Sequence, residues 1–268
     1  MGDLKKIFNQ SKLTSIKWEK YFHIYEKIFK KYRNKKITFV EIGIFQGGSL
    51  EIWKNYFGKK SKIIGIDLNP KCKKFKNKNK NIDVFIGDQS NPDFWKNFFK
   101  KVGKVDVILD DGGHTNKQQI ITVLNTANNI KDGGKLVIED THTSYLEKFG
   151  NQSRYSFINF AKQIIDQVNY TFPFKKKKKF KNTLDKYVYG ISFFESIVEF
   201  KINRKNCYEN KYAKNRGHDS GVEDFRNHNS LIINFFKNFK NKTGLFKRIK
   251  LQKLNYLLEN FRLKKYFD

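Results

Sequence analysis

The sequence predicts an α/β fold, a mostly parallel, doubly wound sheet with an antiparallel hairpin added toward its C-terminal end. Three observations predict it. Five short apolar runs alternate with amphipathic stretches over roughly a hundred residues, the pattern of strands that return through helices to parallel neighbours. Each run ends on glycine or an acid, so polar groups collect where the strands stop. Later, "KYVYGISFFESIVEFKINRK" carries two β-rich runs joined at Phe194 to Ser196, which read as a hairpin joined to that sheet.

Taken in order, Trp18 to Tyr32 place aromatics and isoleucine at helical spacing with lysines between them, so an amphipathic helix with a core-facing stripe is expected. Residues 1–35 then form an N-terminal helical segment. "ITFVEIGIFQGGSLEIWKNYF" reads as a strand, a Gly-rich turn and a helix opening near Ser49; "SKIIGIDLNP" is a second strand stopped by Pro70. After the Lys/Asn-rich "KCKKFKNKNKN" comes a third strand, "IDVFIGD", and then the helix "PDFWKNFFKKV", whose Pro92 suits a first turn. "VDVILDD" is the fourth strand and "NKQQIITVLNTANNI" the next helix; the glycines of "KDGGK" are expected to turn the chain into a fifth strand, "KLVIED". Right-handed crossovers place every carboxyl end of these strands on one edge. The main domain is expected over 36–204. The polar, then Lys/Phe/Leu-rich remainder, 205–268, reads as a helical appendage.

At 268 residues the chain can bury one substantial core. Its 55 Lys+Arg against 26 Asp+Glu give a formal net charge of +29, which raises nucleic acid or an anionic surface as a partner. Lysine far outnumbers arginine, however, and Asn, Ile and Phe are also abundant, as AT-rich coding would produce. Phosphate readers lean on arginine forks, so the charge reads mainly as background, and the run Lys175 to Lys179 as a solvated loop. Cys72 and Cys207 lie far apart and outside any Cys/His cluster, which argues against a disulfide framework or a zinc site. The first ten residues, "MGDLKKIFNQ", lack an apolar signal core, and no run approaches membrane-spanning length, so a cytoplasmic protein is expected.

The strand ends carry the chemistry. A glycine turn after the first strand lets a ligand approach the backbone, and the helix that follows offers unpaired N–H groups. Phe45 stands where the dinucleotide fingerprint needs its second glycine, so that motif is absent. Asp67 ends the second strand, 24 residues after Gly43, where an acid commonly holds ribose hydroxyls, and Asp88 ends the third. Glu41, Gly43, Asp67, Asp88 and Asp110 thus put an acid or glycine at four successive strand ends. Acids repel a pyrophosphate but accept from ribose and from an ammonium group, which suits S-adenosylmethionine. With fourth and fifth strands adjacent, about 4.8 Å apart, Asp111, Glu139 and Asp140 converge. Three carboxylates at one spot need protons or a cation, and a hard divalent ion such as Mg²⁺ takes oxygen ligands. His114, three residues past Asp111, is placed to accept a proton from an ion-bound hydroxyl.

"VEIGIFQGGS", "GIDLNP", "GDQSN", "VILDDGGH" and "VIEDTHTSY", in this order and spacing, resemble the metal-dependent sugar O-methyltransferases of macrolide biosynthesis and their relatives, which include proteins named as cephalosporin hydroxylases. The resemblance covers about residues 36–151. It implies a Rossmann-like class I methyltransferase that moves a methyl group from S-adenosylmethionine to a hydroxyl of a sugar or glycoconjugate. Carried over by position, it implies Asp111, Glu139 and Asp140 as Mg²⁺ ligands and His114 as general base. Glu41, Gly43, the loop residues Gly47 and Ser49, Asp67 and Asp88 would hold the methyl donor, with Asp110 near its amino-acid end. Gly113 replaces a serine usual in that pattern. A homo-oligomer is compatible with the resemblance, but no oligomeric state is carried over by it. Two other readings are a nucleic-acid methyltransferase and an inactive binding protein on the same fold.

Overall fold

Seven strands form one sheet in the order β3-β2-β1-β4-β5-β7-β6. In this computed structural model, residues 2–171, 180–217, 221, 234, 235 and 260–267 are described. β1 (Thr38–Ile42), β2 (Lys62–Asp67), β3 (Ile82–Ile86), β4 (Val105–Asp110) and β5 (Ile130–Ile138) run parallel. β7 (Ile197–Ile202) pairs antiparallel with β5 and with β6 (Val188–Phe194), so the hairpin is inserted β7 first. The expected Rossmann-like architecture with its antiparallel end is the one observed. Because β7 runs against β5, the hairpin turn at Glu195 and Ser196 lies at the same edge as the carboxyl ends of the parallel strands.

Side chains alternate across a strand, and this decides which helices each residue meets. Phe39, Leu109 and Val137 pack on one face with α1 (Asp3–Asn9), α2 (Tyr21–Phe29) and α3 (Gly48–Phe57). Val40, Ile108 and Ile138 pack on the other with α4 (Pro92–Val102), α5 (Asn116–Thr126) and α6 (Phe157–Asn169). The first face is unusually aromatic: Trp53 lies at its centre with Phe39, Tyr25, Phe29 and Phe57 at ring-centroid distances of 5.0 to 5.8 Å. Such contacts add about 0.5–1.5 kcal/mol per pair beyond area burial. Residues Met1–Tyr212 make one compact unit and Ala213–Asp268 a second.

Two local expectations need correction. The aromatic stripe from Trp18 becomes helical only at Tyr21, since Trp18 lies outside the helix with its side chain 62% exposed. The glycines of "KDGGK" do not precede β5 but lie inside it, where the register against β4 shifts between Val105 and Val107. Gly133 has φ +82° there, and a Cβ on Gly134 would come within 2.3 Å of the Asp106 carbonyl, so the two glycines serve a bulge rather than a turn. Helix α1 falls within the expected N-terminal helical segment, whereas α6 had no counterpart among the expected elements, although "FINFAKQIIDQVN" is apolar on one face and buries Phe157, Ile158, Ala161 and Ile164. The lysine run Lys175 to Lys179 and most of 205–268 lie outside the described residues.

Candidate active site

The alternation that builds the core also sorts the acids at the carboxyl edge. Glu41, two residues after Phe39, points to the α3 side and is fully buried, accepting from Ser49 Oγ at 2.6 Å and Trp53 Nε1 at 3.0 Å. Burial pushes its carboxyl up to about 7, against the pull of Lys17 and these donors. Asp110, two residues after Ile108, points the opposite way and is also buried. It accepts from Gln89 Nε2 at 2.9 and 3.0 Å and from the Gly112 N–H at 3.1 Å. Gln89 in turn accepts from the Gly113 N–H at 2.9 Å, so Asp110 and Gln89 shape the "DDGGH" loop from beneath. Burial raises the Asp110 carboxyl despite these donors.

Asp111 and Glu139 fall back on the first face, where Lys17 meets them. Its ammonium, 5% exposed, is 2.5 Å from Asp111 Oδ2, 3.1 Å from Glu139 Oε2 and 3.9 Å from Glu41 Oε1. Burial alone would lower this lysine; the three carboxylates outweigh it and hold the ammonium above its usual range. Tyr25 donates to Glu139 Oε1 and Tyr21 to Asp140 Oδ1, each at 2.5 Å. The Glu139 carboxyl is driven well up, by burial first and by Asp111 next, with Lys17 and Tyr25 opposing.

One oxygen each of Asp111 and Asp140 and a nitrogen of His114 lie within 4.8 Å of one another. His114 Nε2 is 3.4 Å from Asp140 Oδ2 and 3.9 Å from Asp111 Oδ1, while its buried Nδ1 has no partner. Both His114 (φ +59°) and Asp140 (φ +52°) adopt the left-handed conformation that side chains other than glycine rarely take, and strain of this kind gathers at functional sites. Thr143 Oγ1 donates to the His114 carbonyl at 2.9 Å and so ties the two loops together.

Beside this cluster runs a cleft of about 320 Å³ walled by Gly43, Asp67, Asp88, Gln89, Asp111 and Gly113, among others. Asp67 accepts from the Ile44 and Asn69 N–H groups, and Asp88 from Ser90, so both also serve as turn acids. Phe45 and Leu68, 62% and 68% exposed, stand in the same wall as uncovered apolar surface. Gly43 (φ +81°) is required: a Cβ there would come within 2.0 Å of the Asp111 carbonyl, so only glycine lets the loops after β1 and β4 touch. Ser49 lines a smaller adjoining cavity with Thr14, Ser15 and Ile16. Gly47 (φ +77°) caps α3 and faces Phe75, away from both cavities.

Of the residues singled out in the sequence, the structure therefore puts Gly43, Asp67, Asp88 and Asp111 on the cleft and Asp111, His114 and Asp140 in one cluster. Glu139 joins Asp111 through Lys17. Glu41 and Asp110 lie beneath the surface. Sequence reasoning passed over Lys17, Tyr21 and Tyr25. The signal for the tyrosines was their four-residue spacing on a buried stripe, because a buried phenol needs a polar partner.

A family model, "FtsJ-like methyltransferase", matches residues 18–183, which include every one of these side chains except those of Thr14, Ser15, Ile16 and Lys17. The chain belongs to the FtsJ-like methyltransferase family. Among curated relatives of this FtsJ-like chain, demethylmacrocin O-methyltransferase of Streptomyces fradiae is 25% identical over 210 residues, 74% of the chain and 52% of the relative. Mycinamicin VI 2''-O-methyltransferase of Micromonospora griseorubida is 25% identical over 186 residues, 65% of the chain and 46% of the relative. The chain thus spans about half the length of the curated relatives it matches. A solved structure of the MycE methyltransferase from the mycinamycin biosynthetic pathway, in complex with Mg and SAH, superposes with a TM-score of 0.68 at 23% identity. It covers 82% of this FtsJ-like chain and 59% of its own, a likeness of fold.

Proposed function

We propose that this FtsJ-like protein is an S-adenosylmethionine-dependent O-methyltransferase acting on a hydroxyl of a sugar or glycoconjugate, with Mg²⁺ held by Asp111, Glu139 and Asp140. The observation that carries the reading is the cluster of Asp111, Asp140 and His114, joined to Glu139 through Lys17, beside a cleft whose wall supplies Asp67, Asp88 and Asp111 itself. Relatives are named as O-methyltransferases, among them one of a rhamnosyl tetracenomycin, which supports the acceptor class.

The residues fit both the methyl donor and the ion. Asp67 and Asp88 offer carboxylate acceptors for ribose hydroxyls, and the uncovered Phe45 and Leu68 offer apolar surface to an adenine. Asp111, Glu139 and Asp140 are each compensated by a borrowed donor, Lys17, Tyr25 or Tyr21, and hard oxygen ligands of this kind suit Mg²⁺. Bound there, the ion would make an acceptor hydroxyl more acidic.

His114 is the proposed base. Its Nε2 faces the carboxylates, 3.4 Å from Asp140 Oδ2 and 3.9 Å from Asp111 Oδ1, and is the nitrogen proposed to take the hydroxyl proton. S-adenosylmethionine, bound along Asp67 and Asp88, would supply the methyl group for that oxygen and leave as a neutral thioether, while His114 keeps the hydroxyl proton. Asp140, beside the imidazole, stabilises the imidazolium that forms.

A methyl-transfer assay over a panel of glycosides, run in EDTA and with Mg²⁺ restored, tests the reading. Activity should vanish in EDTA and return with the ion. The variant His114→Ala should still bind S-adenosylhomocysteine and Mg²⁺ but lose about 10²–10⁴-fold in rate, the usual contribution of a general base. Full activity in EDTA, or a His114→Ala enzyme as fast as the wild type, rejects the mechanism.

A further inference from the structure

On the Asp140 side of the acidic cluster, a second large cavity, of about 410 Å³, is lined by Trp18, Glu19, Lys20, Tyr21, His142, Glu195 and Ser196. It adjoins the acidic cluster, because its wall residue Tyr21 donates to Asp140 and its wall residue His142 has Nδ1 4.0 Å from the same carboxylate. The first cleft reaches that cluster through Asp111. The carboxylates and His114 are thus approached from one cavity through Asp111 and from the other through Asp140.

The lining of the second cavity is specific in character. Trp18 leaves 62% of its surface in water although its ring is set edge-on to His142, with centroids 5.9 Å apart. His142 is fixed in turn by a 2.5 Å contact from Nδ1 to Ser196 Oγ. An indole held in place yet uncovered is a platform awaiting a partner, since large apolar surface is costly to leave wet. Around it stand a carboxylate and an ammonium, Glu195 and Lys20, paired at 2.6 Å, and a second carboxylate, Glu19, which pairs with Lys5. Each acid is thus paired with a lysine, and the walls carry no excess of positive charge in a chain whose net charge is +29.

We infer that this cavity seats the acceptor, and that the acceptor portion it takes is an uncharged pyranose ring stacked on Trp18. The inference rests on the methyl-transfer reading above. A pyranose has one face of C–H groups, whose slightly positive hydrogens suit the negative face of an indole, and a rim of hydroxyls that both donate and accept. Glu195 and Lys20 supply one acceptor and one donor set at that rim, and the size lies within the range of small-molecule pockets. A nucleobase could also stack on an indole, but the cations at hand, Lys20 and Lys5, are engaged by Glu195 and Glu19, whereas nucleic-acid sites turn their cations to the phosphodiester. A ring seated here and linked toward Tyr21 and His142 presents its hydroxyls to the Asp140 side of the cluster.

Saturation-transfer NMR on the full chain with S-adenosylhomocysteine and Mg²⁺ tests this, using a panel of methyl glycosides of neutral hexopyranoses and 6-deoxyhexopyranoses and, separately, a short oligouridylate. At least one glycoside should receive saturation at its ring C–H protons. That signal should fall several-fold in Trp18→Ala and persist in Trp18→Phe, with circular dichroism unchanged in both because the side chain is exposed. Transfer that survives in Trp18→Ala overturns the site while leaving sugar methylation standing. Absence of transfer from every glycoside to the wild type, or Trp18-dependent transfer to oligouridylate alone, overturns the acceptor class. Calorimetry of S-adenosylhomocysteine on the same samples separates these from failure of the parent reading, which would show as no binding by the wild type.

Discussion

Lys17 is the residue on which the electrostatics of the site turn. Its buried ammonium compensates Asp111 and Glu139 at the spot where a divalent ion is proposed. Removing one partner from a buried charge group costs about 3–5 kcal/mol, because the remaining charge stays desolvated. The variant Lys17→Met should therefore unfold at lower urea concentration than the wild type, and Mg²⁺ should return more stability to it than it adds to the wild type. Equal Mg²⁺ effects on the two proteins would mean that the ion and the ammonium do not share carboxylates. Glu41 gives a second test, in pH. Its carboxyl titrates near 7 when folded and near 4.5 when unfolded, so between these values the folded chain holds a proton that the unfolded chain has released. Stability then falls as pH rises from 4.5 to 7, by about 3 kcal/mol in all, and levels off above. Urea titrations of the wild type and Glu41→Gln across that window should differ by this slope, the variant lacking it; parallel curves would show that Glu41 is not held protonated.

At the scale of elements, the first five strands were legible because each centres on a short apolar run followed closely by an acid or glycine, and they take the order β3-β2-β1-β4-β5 of a doubly wound sheet. The convergence of Asp111 with Asp140 was legible for the same reason, β4 and β5 being neighbours. What the sequence concealed was the direction of each carboxylate. Counting the period of two from Ile108 turns Asp110 away from Asp111, yet this needs the strand's inward faces to be known, and a strand buried on both sides shows no alternation in its sequence. Lys17 was hidden because it lies outside any helix, in a chain where lysine is everywhere. The "DDGGH" loop is anchored at its far end by a capping box: Thr115 Oγ1 accepts from the Gln118 N–H, and Gln118 Oε1 accepts from the Thr115 N–H. Thr115→Ala should cost about 1 kcal/mol in stability. Since His114 is the adjacent residue, held at a positive φ, the same change should speed amide exchange at Gly113 and His114; unchanged exchange would show that the strained loop does not depend on the cap.

For the whole molecule, the decisive fact is where the long-range contacts close. All seven strands, both apolar faces and every side chain of the proposed site fall within residues 1–212, one of the two compact units. The hairpin completes that unit: β7 covers the edge of β5 that would otherwise stand open, and buries Ile197, Val198, Phe200 and Ile202. An open edge on a parallel strand invites pairing with other chains, so the unit needs the chain through β7, and among the described residues no strand of the sheet lies beyond Tyr212. A chain ending at Tyr212 should therefore unfold in one cooperative transition and bind S-adenosylhomocysteine with the affinity of the full chain. One ending at Lys186, before β6, should aggregate, because β5 then keeps an unpaired edge and a bare apolar face. Urea unfolding and calorimetry on the first, and light scattering on the second, give the readout. Loss of cooperative unfolding or of cofactor binding in the chain ending at Tyr212 would show that the second unit helps hold the methyltransferase fold together.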